Sequence, residues 1–81
     1  MEFPCQFPIK AMGLATDGLH LHVFDIVKRH SPDITHDAIS RRTSKNGKYL
    51  SITVTIEATS RDQLDAIYQE LTASEQIMMA L

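Results

Sequence analysis

The sequence has few of the residues that mark disulfide-linked, metal-binding or membrane proteins. Cys5 is the one cysteine among 81 residues, and there is no tryptophan. An internal disulfide or a paired-cysteine metal site is therefore excluded. No apolar run approaches the roughly 18 residues that span a bilayer, and no charged start followed by an apolar run resembles a signal peptide. We expect a cytoplasmic protein without membrane contact.

The sequence also lacks an excess of positive charge. Lysine and arginine total 8 against 10 acidic residues, which gives a formal net charge of −2. Proteins whose main partner is nucleic acid usually carry a basic surplus, so this composition disfavours that class. With 81 residues, 43% of them hydrophobic, there is material for one core, and we predict a single domain over residues 1–81.

The clearest element is a strand over Tyr49–Ala58. Its apolar residues recur at every second position: Leu50, Ile52, Val54, Ile56 and Ala58. The Asn46-Gly47 pair just before it is typical of a type I′ hairpin turn. We therefore predict that Ile34–Ser44 is the partner strand. The turn sets three cross-strand pairs: Ile39 with Val54, Arg42 with Ser51, and His36 with Glu57.

Apolar residues three and four positions apart predict two amphipathic helices. The first lies between Thr16 and Ser31, with Thr16 or Asp17 as its cap, and the proline after Ser31 ends it. Its inward stripe is Leu19, Val23, Ile26, Val27 and His30. The second helix begins at Ser60, which matches a capping box with Gln63. Its inward stripe is Leu64, Ile67, Tyr68 and Leu71.

Alternating segments near both ends supply two more strands, Phe7–Gly13 and Ile77–Leu81. The order is then strand, helix, strand, strand, helix, strand. Two right-handed crossovers of this kind give an α+β ferredoxin-like sandwich, βαββαβ, with a four-stranded antiparallel sheet and both helices on one face. The first and third strands are central. A two-layer core is marginal at this size, so we expect a homodimer.

Short segments along the whole chain have the order and spacing of a known family: Glu2-Phe3-Pro4, Phe7, Lys10, Met12-Gly13, Arg29-His30 with Pro32, Ser44-Lys45 with Gly47 and Tyr49, Ser51-Ile52-Thr53, Ile56 to Thr59, and Tyr68 with Glu70-Leu71. In these segments the chain resembles the YbeD-like family of uncharacterised bacterial proteins. The resemblance implies an ACT-like form of the ferredoxin-like fold and no established reaction. By analogy with ACT domains it suggests small-molecule sensing through a dimer.

The loop between the first strand and the first helix is one candidate ligand site. Its residues are Gly13, Thr16, Asp17 and Gly18. Free N–H groups at a helix start can hold an anion, but Asp17 places a negative charge there. A ligand with an ammonium group therefore suits the loop better than a phosphate does. The alternative is that the glycines only permit a tight connection.

A cluster of positive charge in the predicted hairpin, which we call the basic hairpin, is a candidate partner site. Its residues are Arg41, Arg42, Lys45 and Lys48. It can bind an acidic protein or RNA, or it can protect an edge strand from aggregation. An RNA-binding sheet needs aromatic residues on the outward face of its central strands to stack bases, and Tyr49, at one end, is the only one predicted on that face. RNA is the weakest of these readings.

The remaining polar residues show no pattern typical of a metal-binding or catalytic site. The histidines have no metal-ligand spacing, the first loop lacks a phosphate-binding arginine, and no nucleophile is paired with a base, so we predict no metal, no cofactor and no catalytic residue. In the last strand, one of Met78 and Met79 is expected to face inward. The other joins Met12 and Ala80 on an open apolar face that suits self-association or a protein partner.

These observations predict a small regulatory or accessory domain that is not an enzyme and that binds a small metabolite as a homodimer. The alternative is a protein-interaction adaptor that uses the basic hairpin and the open face of the sheet, without a ligand.

Overall fold

The computed structural model describes residues 2–81 and contains a four-stranded antiparallel sheet covered by two helices. The strands are β1 (Cys5–Leu14), β2 (Ile39–Thr43), β3 (Tyr49–Ala58) and β4 (Met79–Ala80), and the helices are α1 (Leu19–His30) and α2 (Arg61–Ala73). The order across the sheet is β2-β3-β1-β4. The predicted ferredoxin-like α+β fold is confirmed, with β1 and β3 in the centre.

The core lies between the helices and one face of the sheet. On the central strands, the buried residues alternate with residues that face away: Ile9 and Ala11 on β1, and Leu50, Ile52, Val54, Ile56 and Ala58 on β3. The helices add Leu19, Val23, Phe24, Ile26, Val27, Leu64, Ile67 and Leu71. Each such aliphatic or aromatic side chain contributes about 1.5–3 kcal/mol on burial. The predicted stripes are confirmed, except that His30 and Tyr68 are only partly buried.

The hairpin has the predicted register but a shorter first strand. Ile39 lies opposite Val54 and Arg42 opposite Ser51, as predicted. The pairing of His36 with Glu57 is wrong, because His36 begins a 3₁₀ turn that ends at Ala38. The ring of His36 stacks on Phe24 with 4.4 Å between ring centroids. This segment satisfies its backbone groups locally, so β2 begins only at Ile39.

Helix α1 begins later than predicted. Its N-cap is Gly18, with φ 83°, and no side chain of the described residues 2–81 caps the first turn, so the prediction of Thr16 or Asp17 as the cap is wrong. The left-handed conformation turns the chain sharply from the loop into the helix, and a residue without Cβ adopts it without strain. The helix ends at His30, before Pro32, as predicted.

Helix α2 begins at the predicted cap. The Ser60 hydroxyl accepts a hydrogen bond from the Gln63 N–H at 3.1 Å. The Gln63 side chain reaches one residue further back than in a regular capping box, because it accepts from the N–H of Thr59 rather than that of Ser60. Its amide also donates to the carbonyl of His30 at 2.8 Å. One side chain thus fixes both the start of α2 and the end of α1.

The edge strand β4 is short and leaves part of β1 without a neighbour. Its register pairs Ala11 with Ala80 and Met12 with Met79. Lys10 and Leu81 exchange two backbone hydrogen bonds, of 3.1 and 2.8 Å. Two residues before Lys10, Pro8 has the same orientation in the strand but no N–H to donate. Within residues 2–81, no strand pairs with the outer edge of β1 before Lys10.

Gly13 allows the chain before β4 to lie against β1. A Cβ at this position would lie 2.3 Å from the carbonyl oxygen of Gln76 and 3.2 Å from the Leu19 side chain. Because the nearest obstacle is backbone, it cannot move aside as a flexible side chain would. The fold itself requires a glycine here.

We predict that Gly13→Ala destabilises the protein by about 1–3 kcal/mol, through this overlap. Gly18→Asn is the matched control, because no atom lies within 4 Å of a Cβ there and asparagine tolerates positive φ. Its cost should stay below about 1 kcal/mol. Urea unfolding followed by circular dichroism gives both values, and equal midpoints for Gly13→Ala and the wild type would contradict the packing role.

Candidate functional site

The face of the sheet turned away from the helices, here called the open face, has no element packed on it within residues 2–81. Its central residues come from alternate positions of the two long strands: Lys10 and Met12 from β1, and Ser51, Thr53 and Thr55 from β3. Met79 adds an apolar side chain opposite Met12 and is 49% exposed. A shallow cavity of about 120 Å³ lies among Lys10, Met12, Ser51, Thr53, Met79 and Leu81. The open face thus combines an apolar edge with a row of hydroxyl groups.

The two methionines near the C-terminus are both exposed, so the prediction that one of them faces inward is wrong. Ile77 is buried, and Ala80 lies opposite the buried Ala11 and packs against the core. These two residues fill the inward positions. Consequently Met79 lies with Met12 on the open face, whereas the prediction that Ala80 lies there is wrong.

The loop before α1 does not form a single site from its four predicted residues. Gly13 and Gly18 are explained by packing and by the helix start, and the Asp17 side chain is exposed. Only Thr16 lines a cavity, of about 350 Å³, shared with Leu14, Glu75, Gln76 and Met78. The acidic Glu75 and the neighbouring Asp17 make this region unsuitable for an anion.

The basic hairpin does not form one patch, because its two arginines lie on opposite faces of the sheet. Arg41 lies on the helix side and donates a hydrogen bond to His20 Nδ1 at 3.0 Å. Arg42 lies opposite Ser51 on the open face. Lys45 is exposed in the turn, and the Lys48 ammonium lies 5.4 Å from the centre of the Tyr49 ring. Of the two arginines, Arg42 lies on the open face and Arg41 does not.

Polar side chains on the helices join the two helices. Glu70 on α2 accepts hydrogen bonds from Arg29 at 2.8 Å and from the His30 ring at 3.1 Å. The His22 ring lies 2.8 Å from the hydroxyl of Ser74. These are partly exposed contacts, of the kind worth about 1 kcal/mol or less each. Among residues 2–81, no three His, Cys, Asp or Glu side chains are grouped to hold a metal ion.

Besides the cavities on the open face and beside Thr16, the structure has a concave surface that was not predicted from the sequence. It is here called the aromatic groove. It lies between the start of β1 and the first turns of α2, has a volume of about 340 Å³, and is lined by Phe3, Phe7, Arg61, Leu64, Asp65 and Tyr68. Half of its lining residues could have been grouped from the sequence, because Arg61, Asp65 and Tyr68 share one helix face at four- and three-residue spacing. Their meeting with Phe7 depends on the tertiary fold.

Neither helix has the length and the apolar run that crossing a bilayer requires, in the part of the chain that the structure describes.

The whole chain is similar to bacterial proteins of one family. Residues 1–81 match the profile described as "Protein of unknown function (DUF493)". A UPF0250 protein of Nitrosomonas europaea is 47% identical over 81 residues, which cover 100% of this chain and 93% of that protein. A UPF0250 protein of Leptothrix cholodnii is 42% identical over 81 residues, covering 100% of this chain and 89% of that one. The family resemblance predicted from the sequence is confirmed.

A solved structure shares the fold. The solution structure of protein HP0495 from H. pylori matches with a TM-score of 0.75 at 16% sequence identity, covering 100% of this chain and 85% of that chain. At this identity the likeness shows the fold alone. Together with the strand order, it supports the ACT-like α+β arrangement.

We predict a stability loss in alkali that depends on Tyr68, whose hydroxyl donates to the carbonyl of Leu81 at 2.5 Å. Burial raises the pKa of Tyr68 above its ordinary value of 10.0. The folded protein therefore keeps this proton at a pH where the unfolded chain loses it. The stabilisation is fully present below about pH 10 and disappears as the pH rises through the folded-state pKa.

Urea unfolding of the wild type and of Tyr68→Phe over this pH range measures the effect. The difference in unfolding free energy between the two proteins should be constant up to about pH 10 and then shrink. Tyr49→Phe serves as the matched control and should still lose stability as the pH rises above about 10, as the wild type does. A constant difference between wild type and Tyr68→Phe at every pH would contradict the prediction.

Proposed function

Because the chain belongs to the DUF493 family, described as being of unknown function, we propose its function from the structure. It is a small regulatory or accessory domain that works by binding rather than by catalysis. It acts as a homodimer and binds a small metabolite. We place it in the cytoplasm, where the free thiol of Cys5 stays reduced.

The open face is the single observation that carries this proposal. One side of the sheet is covered by two helices, whereas the other side has none within residues 2–81. The uncovered side presents Met12, Met79 and Leu81 beside polar strand residues, and Leu81 is 69% exposed. Methionine-bearing exposed surface of this kind is typical of interaction sites.

Two cavities support metabolite binding. The aromatic groove and the cavity beside Thr16 have volumes of about 340 and 350 Å³. Both fall at the lower end of the range of about 300–1,000 Å³ found for small-molecule sites. Both combine apolar walls with one or two charged side chains, which is the composition that gives such sites affinity and orientation.

We predict that the wild-type protein dimerises in sedimentation equilibrium and that Met79→Lys weakens the dimer by about tenfold or more, because a charge would replace apolar contact area. Met78→Lys is the matched control. Met78 is 59% exposed but lines the cavity beside Thr16 rather than the open face, and the same charge there should leave the dimer intact. A wild-type monomer at every concentration, or equal effects of the two variants, would count against the proposed dimer.

A protein-interaction adaptor is the second candidate function, and the position of Arg42 favours it. This guanidinium lies on the open face on the same side as Lys10, so an acidic partner could cover the open face in place of a second copy. The chain would then be monomeric on its own.

For the adaptor, we predict that Arg42→Glu abolishes capture of an acidic partner while Arg41→Glu preserves it. The pair is well matched, because Arg41 faces the helices and Arg42 faces the open side. Immobilised wild type and variants are compared for bound proteins by mass spectrometry. Identical profiles from both variants would remove Arg42 from the proposed partner site.

A further inference from the structure

The aromatic groove lies beside the part of β1 that is not paired with β4. Phe7 lies on the core side of β1 and is only partly buried, since β4 pairs with Ala11 and Met12 further along the strand. The first turns of α2 lie across the gap and contribute Leu64, which is 7% exposed, and Tyr68. The groove therefore opens sideways into the layer between the sheet and the helices.

The walls of the groove are apolar, and its polar groups come from one helix face. Phe3, Phe7, Leu64 and the Tyr68 ring supply the apolar surface. The Tyr68 hydroxyl already donates to the carbonyl of Leu81, so it is engaged in holding the chain end. The charged groups that line the groove are Arg61 and Asp65.

Arg61 and Asp65 are four residues apart on α2, which places their Cβ atoms about 5–6 Å apart. Both side chains are exposed, and within residues 2–81 neither belongs to an ion pair. The groove thus presents one cation and one anion side by side, next to an apolar wall. A ligand with a single charge would gain from one of these residues and be repelled by the other.

We propose that the aromatic groove binds a small zwitterion with an apolar body. The apolar body lies against Phe3, Phe7 and Leu64. Its carboxylate binds the Arg61 guanidinium, whose planar fork suits a carboxylate, and its ammonium binds Asp65. This inference rests on the proposed metabolite-binding function and names the site and ligand class for it.

Three probes with the same ring and different charges test the ligand class: phenylalanine, 3-phenylpropionate and phenethylamine. Their dissociation constants for the full chain are measured by amide chemical-shift titration. We expect phenylalanine to bind about fivefold or more tightly than either singly charged probe, since it gains the second ion pair. The largest shifts should fall on the residues that line the groove.

Two variants test the roles of the charges. Asp65→Asn should weaken the binding of phenylalanine and strengthen the binding of 3-phenylpropionate. The variant removes an attraction for the ammonium group of the first and a repulsion of the carboxylate of the second. Arg61→Gln should weaken the binding of phenylalanine and strengthen the binding of phenethylamine. Asp62→Asn is the matched control, because Asp62 is exposed on the same helix but does not line the groove, and it should change none of the three constants.

The inference is wrong if no probe saturates the protein, if the three probes bind equally, or if Asp65→Asn and Asp62→Asn behave alike. The proposed function is tested separately, by a thermal-shift screen of unrelated metabolites with the same full chain. A ligand that saturates the protein in that screen, and whose binding is unaffected by Arg61→Gln and Asp65→Asn, contradicts the aromatic groove as the binding site. The proposed metabolite binding would then still stand. A flat screen removes metabolite binding itself.

Discussion

The alternation of side chains along β1 and β3 determines the rest of the structure. Because successive residues of a strand point to opposite faces, burying Ile9 and Val54 under the helices commits Lys10 and Thr53 to the other side. A slip of one residue would expose the whole core, so the register is held firmly. The two layers of the domain and its uncovered face follow from this one pattern.

The elements that were predictable are those with local causes. The hairpin around Asn46-Gly47 gave the predicted pairing of Ile39 with Val54, although its turn is not the predicted type I′ because only Gly47 has a positive φ. The Ser60 cap fixed the start of α2. These signals are confined to a few neighbouring residues, where propensity and hydrogen bonding decide the conformation. The overall order of strands then followed from the handedness of the crossovers.

The features that were missed depend on contacts between distant segments. His36 lies in a 3₁₀ turn rather than in the strand, and its ring stacks on Phe24, which the sequence pattern did not place in the core. Gly18 takes the cap position that a side chain was expected to hold. The aromatic groove joins Phe7 to Tyr68 across most of the chain, and no local motif contains such a pair. Grooves of this kind arise from tertiary packing, so the periodicity of the sequence does not reveal them.

The proline at position 8 has a consequence for how copies of this domain can associate. An exposed sheet edge normally offers alternating donors and acceptors, and a foreign strand can extend such a sheet without limit. Here the free stretch of β1 offers acceptors but lacks a donor at Pro8, so an added strand could not complete its ladder there. Pro8 therefore disfavours extension of the sheet by a foreign strand along this edge.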